Sequence, residues 1–205
     1  MDKEIENIEG EASSDFVEDT GEAQRPKGGH GKGLLYLARD IAIALIVTIA
    51  ILQFVKPTIV LEHSMEDTLH PSDYVFLASK AYKFGGDPKR GDIVVFKSEL
   101  VDQTDGRKKS LIKRIIAIGG DTISIKNGSV ILNGEKLVEP YTKDGRTDGE
   151  MSEVTVPEGK VFAMGDNRQV SKDSRSPDVG FVDESVLTGK VFFRLFPISA
   201  IGKVD

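Results

Sequence analysis

A single long apolar segment does most to limit what this chain can become. Leu34 to Val55 is apolar except for Arg39, Asp40, Thr48 and Gln53. Its length matches the roughly 20 residues that a helix needs to cross the hydrocarbon core of a bilayer. The segment therefore reads as a transmembrane helix. Arg39 and Asp40 stand near its start, where charges can snorkel or pair at the interface instead of being desolvated in the centre. No small-x-small cleavage pattern follows the apolar core; the exit reads Gln53-Phe54-Val55-Lys56-Pro57, so an uncleaved anchor is expected rather than a removable leader. Arg25, Lys27, Lys32 and Arg39 precede or begin the span, whereas beyond Lys56 no base appears until Lys80. By the positive-inside rule the N-terminus is cytoplasmic and the rest of the chain lies outside.

The flanking regions differ sharply. Residues 1 to 24 carry nine acidic side chains against the single base Lys3 and almost no large apolar residue. Such a segment cannot offset the entropy of its own folding, and a disordered cytoplasmic tail is expected over 1–33, turning basic and glycine-rich at its membrane end. Acidic residues contribute little to the orientation bias, so the tail does not reverse it. After the span, residues 56–205 remain, roughly 150 residues and a common size for one domain. The formal charge of -6 is mild and the bases are scattered, unlike the basic stripe of a nucleic-acid binder. Cysteine is absent, which removes disulfides and thiol catalysis, a sortase-like mechanism included.

Periodicity predicts a mainly β domain. Thr58 to Leu61, Asp73 to Leu77 and Asp92 to Phe96 are short, rich in β-branched or aromatic residues and bounded by turn residues. Asp121 to Ile125, Asn127-Gly128, Val130 to Leu132 and Asn133-Gly134 form the strongest local signal. Two successive Asn-Gly turns predict a meander. Asp102 to Ser110 and Thr142 to Ser152 read as polar, glycine-containing loops. Helices beyond the anchor should be few and short, since no long 3.6-residue apolar period appears there.

Chemistry concentrates in a few places. Ser64 follows a strand with a buried pattern, and a serine hydroxyl needs a base to act as nucleophile at neutral pH. Lys113 lies in Ser110-Leu111-Ile112-Lys113-Arg114-Ile115-Ile116, where alternation can turn it inward and Arg114 outward, into water or an ion pair. A solvated lysine titrates near ~10.4 and is an acid at neutral pH; burial can make it a base. The run Gly165 to Arg175 holds Asp166, Asn167, Arg168, Ser171, Asp173 and Arg175. Two other chemistries use neighbouring residues: His63, Asp67 and His70 as an incomplete metal ligand set, or His70 as the base for Ser64.

These blocks, in this order, resemble the bacterial type I signal peptidases, membrane-bound serine–lysine enzymes that remove signal peptides from exported preproteins. The likeness covers residues 34 to 205 and rests on the apolar anchor, Ser64-Met65 with Thr68-Leu69, Gly91 to Phe96, Lys113 to Ile116 with Gly120-Asp121, and Gly165 to Arg175. Gly180-Phe181-Val182 and Gly189-Lys190-Val191 resemble the family's C-terminal part. The resemblance implies a β-rich signal-peptidase-like domain after one membrane helix, with Ser64 as nucleophile, Lys113 as general base and no cofactor or metal. It implies that Ser171 hydrogen-bonds the base, that Asp173 and Arg175 brace the site as an ion pair, and that Asp166, Asn167 and Arg168 support the turn. Its partners would be secreted preproteins and the phospholipid of the bacterial plasma membrane, with the secretion translocase as a compatible neighbour, and cleavage would follow a small residue.

The chain departs from the family's usual pattern at Glu62 and His63 just before the nucleophile and at Asp67, where proline is common. A carboxylate at Glu62 cannot donate to an oxyanion and would repel it. Asp67 could replace the proline by capping the turn locally. These departures keep open the reading of a silent relative that binds signal peptides; a peptidase specialised for one exported class, such as pilus components, is a further alternative to a housekeeping enzyme.

Overall fold

The computed structural model describes residues 30–82 and 86–204. The acidic stretch 1–24, expected to be a disordered tail, lies outside the described residues. Helix α1 spans His30–Phe54, starting before the first apolar residue and ending one residue before Val55. From Gly33 to Phe54 it is long and apolar enough to cross a membrane. Its large apolar side chains are exposed, Leu35 at 71% and Ile46 at 66%, a surface that suits lipid and not water. Arg39 and Asp40 pair with each other at 2.8 Å. At the helix's end Ser79 Oγ donates to the carbonyls of Gln53 and Phe54, each at 3.2 Å. This satisfies acceptors that a terminating helix leaves open.

The unit that carries the strands runs from Ala44 onward. Its larger sheet contains β1 (Val55–Ile59), β2 (Tyr74–Ala78), β3 (Ile93–Val101) and β4 (Lys108–Ile118). The smaller antiparallel sheet contains β5 (Thr122–Lys126), β6 (Ser129–Leu132), β7 (Glu135–Lys136) and β8 (Met151–Thr155). Next come β9 (Lys160–Met164), β10 (Val182–Asp183), β11 (Leu187–Phe196) and β12 (Gly202–Lys203), which belong to the larger sheet. The large sheet is ordered β1-β2-β11-β3-β4-β9-β10, with β12 on β11; the small one is ordered β7-β6-β5-β8. Asn127 and Asn133 adopt φ of 50° and 52°, followed by Gly128 and Gly134 at 74° and 83°. These are the left-handed pairs that a type I′ hairpin turn requires, and they make β5-β6-β7 the expected meander.

Several boundaries differ from the sequence expectation. The first strand begins at Val55 and stops at Ile59, so Val60 and Leu61 lie in the approach to Ser64. Its Pro57 is tolerated because β1 is an edge strand, where one missing N–H need not break a ladder. The loop expected over Asp102 to Ser110 is shorter, because β4 begins at Lys108. The loop expected over Thr142 to Ser152 ends at Met151, where β8 begins. Lys108, Lys109 and Ser110 open β4, and Ser152 and Glu153 follow Met151 in β8; pairing with β3 and β5 outweighs their weak local preference.

Three apolar clusters fill the domain. One holds Val60, Met65, Leu69, Val75, Leu77, Ile93, Val95, Val191 and Val204. A second joins Ile116, Phe162 and Met164 to Ile123, Ile125, Val130 and Leu132 of the small sheet. A third groups Val94, Phe96, Leu111, Ile115, Val161, Ala163, Val182 and Leu187. Strand β4, bonded to β3 on one side and β9 on the other, feeds all three clusters, which is why Lys113 and Arg114 in its middle are out of water.

Candidate active site

Ser64 sits in a one-turn 3₁₀ helix, His63–Met65. The turn is held by its packing: Met65, its last residue, and Leu69, just after it, 1% and 0% exposed, insert into the first apolar cluster. Full burial of such side chains stabilises by about 1.5–3 kcal/mol each. Leu69 N–H donates to Met65 O at 2.8 Å. From the loop after β9, Asn167 fastens the same turn twice, its N–H on Ser64 O at 3.1 Å and its Nδ2 on His63 O at 3.1 Å.

Lys113 comes from the middle of β4 and is 1% exposed. Its Nζ lies 2.7 Å from Ser64 Oγ and 3.0 Å from Ile112 O. Burial pushes the amine down from its ordinary 10.5 to about 8, against the opposing pull of Asp173, Glu62 and Asp166, while Arg175 lowers it further. A substantial fraction of such an amine is neutral near pH 8, and in that form it accepts the proton of the hydroxyl it touches.

Around this pair the Gly165 to Arg175 run forms a hydrogen-bonded cradle. Asp166 is fully buried and grips Arg114 through two bonds, 2.9 and 2.8 Å, with Thr68 Oγ1 donating to it at 2.6 Å. Arg114 also stacks over the Tyr141 ring at 4.1 Å. Of the two alternatives expected for Arg114, water or an ion pair, the structure shows the ion pair: the residue is 3% exposed, because the loop after β9 and Tyr141 close over that side of β4. Asp173 takes Arg175 through bonds of 2.8 Å to each carboxylate oxygen and accepts from Gly165 N–H at 3.0 Å. Arg168 donates to Gly165 O at 3.0 Å, forks onto Glu139 at 2.9 and 2.5 Å, and contacts Thr147 Oγ1.

Ser171 is the clearest correction. The expected bond to Lys113 does not form, and its buried hydroxyl makes no hydrogen bond with a described protein group. It packs instead against Gly165, where an added Cβ would collide with both Ser171 and Ser64 O. That glycine lets the loop approach the nucleophile's backbone. The neighbouring departures also have definite positions. His63 is exposed and pairs with Glu66 at 2.6 Å; Lys143 takes the other Glu66 oxygen at 2.8 Å. Lys143 first, then His63, hold the Glu66 carboxyl down at about 2. Asp67 is exposed, and no side-chain cap from it occurs among the described residues. Its expected proline-like capping role is therefore not seen. Ser64 Oγ faces Lys113, not His70.

Beside Ser64 a cleft of about 480 Å³ is lined by Ile59, Glu62, Leu77, Val95, Lys109 and Ile112, among others. One wall is the chain from β1 to Glu62, the other the first half of β4. Sequence reasoning missed Glu139, Thr147 and Tyr141. Glu139 and Thr147 stand 29 and 21 residues from Arg168, so no local pattern links them.

A match to the family model described as signal peptidase, peptidase S26, runs over residues 34–196, nearly the whole described chain. The chain belongs to the signal peptidase family. Among its relatives is a signal peptidase I of Bacillus licheniformis, 37% identical over 179 residues, covering 82% of this chain and 91% of that one. Signal peptidase I S of Bacillus subtilis is 34% identical, with 85% and 95% covered. Signal peptidase I U of the same strain is 37% identical, with 81% and 88% covered. A crystal structure of a signal peptidase I from Enterococcus faecalis, 29% identical, superposes with a TM-score of 0.41 over 51% of this chain and 96% of the other. As a signal peptidase the chain is a hydrolase of the serine endopeptidase type, and its apolar helix is consistent with a membrane anchor.

Proposed function

We propose that this signal peptidase cuts exported preproteins after a small residue, with Ser64 as nucleophile and Lys113 as general base. Removal of signal peptides by a serine peptidase, with exported preproteins as substrates, is the coarser activity that goes with its family. The observation that carries the finer reading is the 2.7 Å contact between a buried lysine, its amine lowered to about 8, and a buried serine.

The chemistry follows in order. Neutral Lys113 takes the Ser64 proton as Oγ attacks the scissile carbonyl carbon. The tetrahedral intermediate collapses as the Lys113 ammonium returns that proton to the leaving amine nitrogen, which leaves an acyl ester on Ser64. Lys113, neutral again, then removes a proton from the water that hydrolyses the ester. The backbone N–H of Ser64 is the first donor we assign to the oxyanion. Asp173 and Arg175 brace the loop, and Asp166, Asn167, Arg168 and Arg114 hold it against the nucleophile turn. Ser171 fills the space beside Gly165.

An extended substrate suits the cleft. The free edge of β1 can accept a further strand through main-chain bonds, and the apolar floor at Leu77, Val95 and Ile112 favours short side chains over long ones. In this reading the apolar helix is the anchor, the N-terminus is cytoplasmic and residues 56–205 lie outside as the peptidase domain, a location that brings the secretion translocase within reach. The test is to incubate the detergent-solubilised protein with a preprotein carrying a small-x-small site and read the products by mass spectrometry. Wild type should cut after the small residue, while Ser64→Ala and Lys113→Ala should lose cleavage by at least roughly a thousandfold with the fold intact. Cleavage retained by either variant would remove it from its role.

A further inference from the structure

Glu62 is an unwelcome neighbour for this reaction. It stands two residues before Ser64 in extended backbone, φ -114° and ψ 158°, and lines the same cleft. A carboxylate there opposes the chemistry twice. It disfavours the negative charge that develops on the substrate carbonyl oxygen, and it favours the ammonium form of Lys113, which cannot accept a proton.

The same cleft holds the counterweight. Lys109, four positions before Lys113 on β4, brings its Nζ to 3.5 Å from Glu62 Oε1 and 3.8 Å from Asp102 Oδ2. Asp102 is fixed in turn just past the end of β3, in the β3–β4 connection, where it accepts from Thr104 N–H at 2.8 Å and from Thr104 Oγ1 at 2.6 Å. The neighbouring cations are engaged with other carboxylates: Lys108 meets Glu99 at 2.6 Å and Arg107 meets Asp105 at 3.8 Å. Lys109 is thus the cation that Glu62 meets on this wall.

We propose that Lys109 is a positioning residue for hydrolysis, drawing the Glu62 carboxylate onto the β4 wall of the cleft and cancelling its charge where Ser64 meets the substrate. This rests on the reading of Ser64 and Lys113 as nucleophile and base. The other charged groups acting on Lys113 are Asp173 and Asp166, which favour its charged form, and Arg175, which disfavours it. Those three are committed to ion pairs within the loop after β9 or with Arg114, so Glu62 is the contribution that a change at Lys109 alters.

The experiment uses the full chain in phospholipid vesicles with a preprotein substrate and compares wild type, Lys109→Met, Lys109→Arg, Glu62→Gln, the double variant Glu62→Gln with Lys109→Met, and Ser64→Ala. Lys109→Met should lower kcat by on the order of threefold to tenfold with little change in KM, and move the acid limb of the pH profile upward by about half a unit. Lys109→Arg should behave as wild type. Glu62→Gln should move the acid limb downward, and in the double variant it should restore the kcat lost with Lys109. That rescue is a result that a merely structural role for Lys109 would not give. The proposal is overturned if Lys109→Met matches wild type, or if its loss persists once Glu62 is neutral. Cleavage surviving in Ser64→Ala would instead remove the nucleophile assignment beneath it.

Discussion

At the scale of single residues, the site is held by buried charges that have no water to fall back on. Arg114 and Asp166, 3% and 0% exposed, meet in two parallel bonds. Removing one partner of such a pair leaves the other charge desolvated and alone. Asp166→Ala should therefore cost about 3–5 kcal/mol of stability, measured by urea unfolding of the detergent-solubilised protein; a loss below about 1 kcal/mol would show that Arg114 finds another partner or water. The inward turn of Lys113 was legible from its apolar neighbours on β4, and Ser64 from its place after a strand. The surroundings were less so. For Arg114 the sequence left water and an ion pair both open, because alternation speaks only of a strand's two faces; here both faces are covered and the ion pair forms. Ser171 was expected on Lys113 because the family resemblance implied it; in this chain its hydroxyl is taken up by packing on Gly165. Glu139 and Thr147, which hold Arg168, are brought in by loops that no local pattern connects to it.

At the scale of elements, the sequence spoke most clearly where backbone geometry is demanding. The two Asn-Gly pairs require positive φ and so marked both turns of the meander. The anchor was equally plain, since few sequences other than a membrane helix combine such length and apolarity. What local patterns left open was strand order. In the larger sheet β11 lies between β2 and β3, and β9 lies beside β4. Contacts of that sequence separation are fixed by closure of the core, not by propensity. The same closure lengthened β4 backwards into a stretch read as loop, where Lys108 and Lys109 pair with β3 and its flank. That extension puts Lys109 on the wall of the cleft opposite Glu62.

At the scale of the whole molecule, the chain combines one helix long and apolar enough to cross a membrane with a β-rich unit. The basic residues before the span and the gap in bases after Lys56 predict that the unit carrying Ser64 is outside. Protease added to intact cells with a permeabilised wall should digest residues 56–205 and spare an epitope placed at the N-terminus; the opposite pattern would reverse the orientation. The central claim, that a neutral Lys113 activates Ser64, has a direct signature in pH. The lysine's folded-state value is depressed to about 8, so the reactive neutral form is lost as pH falls through that value and gained as pH rises. The measurement is kcat/KM for preprotein cleavage from pH 5 to 10, with Lys113→Ala as its companion. An acid limb near pH 8 in wild type, and no cleavage in the variant, is the predicted result. A limb near ~6.5, the ordinary range of histidine, or cleavage that survives without Lys113, would contradict it.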